Sequence, residues 1–237
     1  MDMKISGAGI IGGGEYDKVA ISGSAKAEGF IRCKELHCSG AFSGNAEIEC
    51  ENDIKISGAF KNSGAVKTKE FKTSGSAKTG AISAETIKVA GAFMVEGNLK
   101  TTELDVAGGL KVTGDLEAEK AEIKGGINCG GLINAEEIKI ELSSTNKSFA
   151  QSIGGSKIVI ENYREKGIIE RIFGRKSCDF VVSETIEGDE IIIEHTKAKT
   201  VTGKYVMIGE GCEIKLLQYS ESAEISPKAK IGRCEKI

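Results

Sequence analysis

The chain has 237 residues, of which 40% are hydrophobic, and a formal net charge of −3 that is spread along its whole length. This even charge argues against a nucleic-acid-binding surface, and the sequence has neither an apolar stretch of membrane-spanning length nor the basic and apolar regions of a signal peptide. With 31 glycines, one proline and no tryptophan, the chain fits a narrow interior of small side chains better than a broad globular core.

A short repeat runs through the chain from its start to Leu142. Pairs of a small residue and a glycine recur at nearly equal intervals of about 17 residues, and so steady a period is typical of a solenoid, in which each repeat stacks on the next. The interval is longest between Gly40 and Gly58. The glycines of these pairs are Gly7, Gly23, Gly40, Gly58, Gly75, Gly91, Gly108 and Gly125.

Each repeat also contains three pairs of apolar residues at fixed distances from its glycine. Within each pair the two residues are separated by one other residue, which is the periodicity of a strand with one buried face. The sequence therefore predicts an all-β fold, a single-stranded β-helix (β-solenoid) with three short strands per coil of about 17 residues. Around Gly108 the pairs are Leu104 with Val106, Leu110 with Val112, and Leu116 with Ala118.

Glycines and charged residues lie between the strand pairs, and we expect the glycines to form the bends in positive-φ conformations. The irregular intervals have a simple origin: one coil has an extra residue at 51–53, and another is shortened at Gly80. Insertions at bends leave the inward face of each strand unchanged. We also expect Phe42, Phe60 and Phe93 to share one inward column.

Four of the seven cysteines, Cys33, Cys38, Cys50 and Cys129, fall in inward columns. A free buried cysteine behaves as a small hydrophobic residue, and we expect this role for all four. Two alternatives are a metal site of Cys33, His37, Cys38 and Cys50, and a disulfide between Cys33 and Cys50. The spacing matches no familiar zinc pattern, and His37 alternates outward. We therefore predict no metal or other cofactor, and a cytoplasmic protein.

The regular array ends at Leu142, and residues 143–178 read as an insertion. Its first part, 143–156, is polar and is expected to form a loop, followed by a short strand at 157–160. The stretch 163–176 is basic and has apolar residues at helical spacing. It either covers the wall of the solenoid or contacts a membrane surface or a protein partner. The candidate docking residues are Ile168, Ile169, Arg171, Ile172, Phe173 and Arg175.

Strand alternation returns from Phe180, and residues 179–237 are predicted to form further coils of the solenoid. Val206 precedes Ala223 by one full period of the first array, and Ile214 precedes Ile231 by the same interval. The same period therefore resumes after the insertion.

With these residues in view, the chain resembles the bactofilins, which are polymer-forming cytoskeletal proteins of bacteria. The resemblance covers the first coils, the block from 187 to 214, and residues 219–221. It implies a right-handed β-helix that assembles end to end without nucleotide, often at the inner face of the membrane. The chain departs from the family pattern in its greater length, in its insertion at 143–178 and in lacking a proline-rich tail.

The sequence shows no convincing catalytic motif, so we expect a scaffold and not an enzyme. Its two histidines, His37 and His195, are far apart in the sequence, and its acidic residues fall at corners and outward positions. The main enzymatic alternative is a hexapeptide-repeat acyltransferase, a left-handed β-helix with a similar coil length. Periodicity alone does not fix handedness, so this alternative stays open, as does a monomeric β-solenoid that serves as a docking module.

The solenoid ends are the predicted self-assembly sites, because terminal coils expose unpaired strand backbone and the ends of apolar columns. The candidate residues are Ile5 and Ile10 at one end and Ile225 and Ile231 at the other. Pro227 and the adjacent lysines are expected to protect the C-terminal edge in part. The alternative is a monomer whose terminal residues fold over its own ends.

Overall fold

The computed structural model describes residues 1–142, 148–162 and 180–237, and every regular element within these ranges is a β-strand. Parallel strands stack coil upon coil, which confirms the predicted β-solenoid. The chain divides into two compact units, Met1–Glu119 and Lys120–Ile237. Within the described ranges, no helix has the length and apolarity needed to cross a membrane.

In the first unit, long strands that turn at a corner generally alternate with short, straight strands. The strands are β1 (Met3–Ile5), β2 (Ala8–Ile11), β3 (Gly14–Ile21), β4 (Ser24–Ala27), β5 (Ile31–Cys38), β6 (Ala41–Gly44), β7 (Ile48–Ile56), β8 (Ala59–Asn62), β9 (Val66–Thr73), β10 (Ser76–Thr79), β11 (Ile82–Val89), β12 (Ala92–Val95), β13 (Leu99–Val106), β14 (Gly109–Val112) and β15 (Leu116–Lys124), which contains the boundary.

Equivalent residues of successive coils lie in register and form continuous buried columns. One column begins at Val19, and its members are at most 2% exposed. The steps along it repeat the intervals between the glycines, with one step longer and one step shorter than the rest. Its members are Val19, Leu36, Ile54, Phe71, Ile87 and Leu104.

The extra residue of the longest coil is absorbed where the sequence places it. The pairing of β5 with β7 shifts between Cys33 and Glu35, and the pairing of β7 with β9 shifts between Glu49 and Asp53. Both shifts fall at the corner of the coil, and the apolar residues on either side remain buried. The insertion therefore produces a local bulge without changing which face of the strand points inward.

Phe42, Phe60 and Phe93 share one inward column, as predicted, with Ala77 between Phe60 and Phe93. Phe42, Phe60 and Phe93 are 2–3% exposed, and the rings of Phe42 and Phe60 stack at 4.6 Å. Phe93 pairs in register with Ala77, which offers no ring. Its stacking partner is Phe71, at 4.8 Å, from a different wall of the coil. The small side chain of Ala77 leaves space beside Phe93, so the ring packs across the interior.

The corner glycines differ from the expectation of positive φ. Among the described glycines, φ is positive at Gly14, Gly97, Gly125 and Gly211 only. The reason for glycine is instead close stacking: a Cβ atom on Gly58 would lie 2.0 Å from the carbonyl oxygen of Gly40. No side chain fits at that distance, so the contact between coils demands glycine even where its backbone angles do not.

The second unit has longer strands and a core rich in isoleucine. One buried column contains Ile138, Ile158, Ile191 and Val206, and the step from Ile191 to Val206 is shorter than one full period of the first array. The strands are β16 (Gly126–Leu142), β17 (Ser148–Asn162), β18 (Phe180–Ile193), β19 (Thr196–Ile208), β20 (Glu213–Ile225) and β21 (Lys230–Lys236).

The expected loop at 143–156 is wrong for residues 148–156, which belong to strand β17. Ala150 and Ile153 are buried, and β17 pairs with both β16 and β18. The outward and corner positions of this strand hold Gln151, Gly154 and other small or polar residues. The sequence of this strand therefore contains few of the apolar residues that would indicate a strand. Pairing with the neighbouring strands stabilises it.

We expect Phe93→Ala to lower the free energy of unfolding by about 3–5 kcal/mol, since it removes a buried ring and its contact with Phe71. The exposed Lys100 forms an ion pair with Glu117, whose side chain is also exposed. Water screens this pair, so Lys100→Ala should have little effect. Thermal and denaturant melting of the two variants checks the prediction. Equal, small effects from both changes would contradict the position of the ring in the column.

We expect Gly58→Ala to destabilise the first unit by about 1–3 kcal/mol, because its Cβ atom forces two coils apart. Gly7 is the matched control: it occupies the equivalent corner, but a Cβ atom there has no atom within 4 Å. Gly7→Ala should therefore stay within about 1 kcal/mol of the wild type. Denaturant unfolding measures both, and equal losses would contradict the stacking explanation.

Candidate functional site

The C-terminal coils present a strand edge whose described residues have no further pairing partner. Strand β21 pairs with β20 only as far as Tyr219, so residues 222–225, which pair with β19, have no described strand on their other side. The inward columns also end here. Ile225 is 41% exposed, Ile231 is half-buried, and Cys234 is exposed although Leu217, its in-register neighbour, is buried. This C-terminal edge combines unpaired backbone with exposed apolar side chains.

The lysines next to Pro227 do not cover this C-terminal edge. Lys228 Nζ lies 2.8 Å from Glu210 Oε2, and Lys230 Nζ lies 3.4 Å from Glu213 Oε1. Both ammonium groups therefore pair with acids of the preceding coil, on the outer wall. The expected protection of the edge by these charges is absent from the described contacts.

The N-terminal edge is less apolar than the sequence predicts. Ile5 is 8% exposed, so it belongs to the interior. Ile10 is 63% exposed, but it pairs in register with Lys26 and therefore belongs to an outer wall. The phenol of Tyr16 donates a hydrogen bond to the carbonyl of Gly12 at 2.9 Å, beside this edge. Of the four predicted assembly residues, Ile225 and Ile231 are therefore the two that lie in inward columns and are still open to water.

The predicted docking residues Ile168, Ile169, Arg171, Ile172, Phe173 and Arg175 lie outside the described residues. Their role stays a prediction from the sequence.

The buried cysteines are confirmed as inward-facing, but their thiols do more than fill space. Cys50 Sγ lies 3.2 Å from the carbonyl oxygens of Lys34 and Asp53 at the corner of two successive coils. The hydroxyl of Thr68 likewise donates to two corner carbonyls, and so does that of Thr101. A thiol or hydroxyl at this position supplies the donor that buried carbonyls need. Its sequence signal is a Cys or Thr shortly before an acidic corner residue.

One cluster of titratable side chains lies on the outer wall of the first unit. His37 Nε2 is 2.8 Å from Asp53 Oδ2 and 4.0 Å from Glu35 Oε2. Lys18 pairs with Glu35 and Lys55 pairs with Asp53, each at 3.0 Å. Partial burial opposes ionisation of Asp53, but hydrogen bonds from His37 and Lys55 outweigh it and lower the pKa of this carboxyl.

The ligand atoms of the histidine and the two acids lie within 4.8 Å of one another, as a metal site would require. However, the two lysines already neutralise the two carboxylates, so no net negative charge remains to attract a cation. We interpret the cluster as an ion-pair network between coils. The sequence reasoning missed it because the extra residue at the corner is what brings Asp53 beside His37.

These features define the class of the protein, a parallel β-solenoid with an exposed apolar strand edge. No family model matches the sequence, and no solved structure does. The chain is similar to two uncharacterized proteins of Bacillus subtilis (strain 168). It is 34% identical to YhbF over 100 residues, which are 42% of this chain and 39% of YhbF. It is 31% identical to YhbE over 94 residues, which are 40% of this chain and 38% of YhbE. The match thus spans well under half of either relative.

We expect Cys234 to be alkylated rapidly in the folded protein, whereas the other described cysteines, all buried, react only after local opening. Cys234→Ser should remove one rapidly labelled thiol, and Cys212→Ser should remove none. Cys178 lies outside the described residues, so it is replaced by serine in every sample. Rapid labelling that survives Cys234→Ser, measured by mass spectrometry, would contradict the exposed edge.

Proposed function

We propose that this protein is a structural scaffold that associates with further copies of itself through its C-terminal strand edge. The observation that carries the proposal is the open end of the inward columns at Ile225, Ile231 and Cys234. In interior coils, the side chains of the same columns are covered by the coil before and the coil after. An exposed strand edge pairs readily with another strand unless it is short, charged or covered.

Burial of apolar surface favours an associated C-terminal edge over an edge that stays in contact with water. A terminal repeat of a solenoid normally needs a polar outer face to remain soluble. Here the apolar positions of the last coil stay in contact with water, and the nearby lysines pair along the wall. Contact with a second edge would bury these side chains and satisfy strand backbone at once.

The proposed role is structural and not enzymatic, and the association needs no nucleotide. The charged groups around His37 form ion pairs with one another. The second histidine, His195, belongs to the other unit. Polymer formation and a cytoskeletal role follow the resemblance of the repeats to the bactofilins. A cytoplasmic location, with contact to a membrane surface or a protein partner through 163–176, belongs to the same proposal.

Sedimentation velocity over a range of protein concentrations tests the association. We expect the wild type to form species larger than a monomer, whose share grows with concentration. Contact between two C-terminal edges gives a dimer, and contact of this edge with the N-terminal coil of another copy gives filaments. Ile231→Lys should give smaller species with an unchanged circular dichroism spectrum. A charge buried without a partner in the contact costs about 3 kcal/mol or more, which weakens binding at least about a hundredfold.

Met207→Lys is the matched control, because Met207 is also an exposed apolar residue but lies on the outer wall, 45% exposed. It should associate like the wild type. A wild-type monomer at high concentration and low salt would end the proposal. So would loss of association in Met207→Lys to the same degree as in Ile231→Lys, because the contact would then lie elsewhere.

A further inference from the structure

Two cysteines occupy the same inward position in successive coils. Cys33 on β5 pairs in register with Cys50 on β7, and their exposed fractions are 1% and 5%. Both are free thiols. By contrast, the in-register neighbours of Cys38 are isoleucines, and that of Cys129 on β17 is Ala150. Among the described pairings, Cys33 with Cys50 is the one that places two thiols together.

The spacing of the strands allows a bond between these two sulfurs. Neighbouring strands of a sheet lie about 4.7–4.9 Å apart, and in-register residues of a parallel pair are separated by about that distance. Disulfides join cysteines whose Cα atoms are about 4.4–6.8 Å apart. Cys33 and Cys50 therefore need only a small adjustment of side chains and backbone to form one.

The two thiols lie at the same corner. Cys50 Sγ donates to the carbonyl oxygens of Lys34 and Asp53, each at 3.2 Å. A hydrogen bond to Cys50 and burial raise the pKa of the Cys33 thiol. Either sulfur can act as the nucleophile once it is ionised, and the other sulfur then acts as its resolving partner.

We propose that Cys33 and Cys50 form a dithiol site that a small peroxide oxidises to a disulfide between two successive coils. The thiolate of one cysteine attacks one peroxide oxygen; an S–O bond forms, the O–O bond breaks, and hydroxide leaves and takes up a proton as water. The sulfur of the other cysteine then attacks the sulfenic sulfur. The S–S bond forms, the S–O bond breaks, and the proton of the attacking thiol leaves with the oxygen as a second water.

The dithiol thus gives up two electrons, and one hydrogen peroxide molecule is reduced to two water molecules. Oxidation also removes the Cys50 thiol proton, which is donated to the carbonyls of Lys34 and Asp53 in the reduced protein. The corner therefore loses these hydrogen bonds and gains a covalent bond between strands β5 and β7, next to their register shift. This chemistry is independent of self-association, since both cysteines lie inside the first unit.

The test uses the full chain with Cys178→Ser and Cys234→Ser, which removes the exposed thiol and the cysteine outside the described residues. The folded protein is treated with hydrogen peroxide, quenched with catalase, unfolded and alkylated with N-ethylmaleimide. Intact mass should show two thiols lost together with two hydrogens. Proteolysis without reductant should yield joined peptides that contain Cys33 and Cys50.

Cys33→Ser should leave Cys50 as a sulfenic acid that dimedone traps, and Cys38→Ser should leave the disulfide intact. The joined peptides from the protein with Cys178→Ser and Cys234→Ser alone decide the proposal, even if a further variant folds poorly. Oxidation of Cys38, Cys129 and Cys212 at the same rate as the pair would overturn it. So would full alkylation of Cys33 and Cys50 after peroxide treatment of the folded protein.

Discussion

The backbone hydrogen bonds between successive coils are the constraint on which the rest of each unit depends. They hold equivalent residues at the spacing of neighbouring strands, about 4.8 Å, over several coils. At the sharpest corner, this spacing brings the carbonyl oxygen of one glycine to the place where the next would carry a Cβ atom. The clash distance is 2.0–2.1 Å at Gly40, Gly58 and Gly75. The repeated glycine is therefore a result of stacking.

The same spacing decides which polar groups the interior can hold. A corner turns the backbone away from its ladder, so some carbonyls face the interior and need a donor. Thr68, Thr101 and Cys50 meet this need from one position, and Asn62 meets it at another corner, where its Nδ2 donates to two carbonyls at 3.0 Å. The Oδ1 atom of Asn62 has no hydrogen-bond partner in the described structure. Satisfying the corner thus leaves a buried acceptor unpaired, which reduces the net gain.

The coil length, the inward columns and the position of the extra residue could be predicted from the sequence, because each depends on the order of residues within one repeat. Contacts between different walls could not. The stacking of Phe93 on Phe71 depends on the small side chain of Ala77 in the preceding coil, and the strand at 148–156 depends on its neighbours in the sheet. In the same way, the sequence places Ile225 and Ile231 near an end. The column positions relative to Gly7 also place Ile5 inward and Ile10 outward, but they do not show how open to water each end is.

Charge ladders on the outer walls follow from the register but do little to hold the coils together. Arg32 lies between Glu15 and Glu49 of the adjoining coils, with nitrogen–oxygen distances of 3.2 and 2.8 Å. All three side chains are open to water, which screens their attraction and leaves a small contribution. Such ladders depend on the register, because unlike charges meet only where equivalent positions of successive coils lie opposite one another.

Stability in a solenoid therefore comes from the interior columns and the backbone ladder, both of which need a neighbour on each side. At the N-terminal edge, Ile5 turns inward, Tyr16 donates a hydrogen bond to the carbonyl of Gly12, and the exposed Ile10 lies on an outer wall. At the C-terminal edge, Ile225 and Ile231 retain the orientation of interior residues without the coil that would cover them. A second copy at this edge would restore the environment of an interior coil without any change of fold. Folding and the proposed association would then rest on the same contacts.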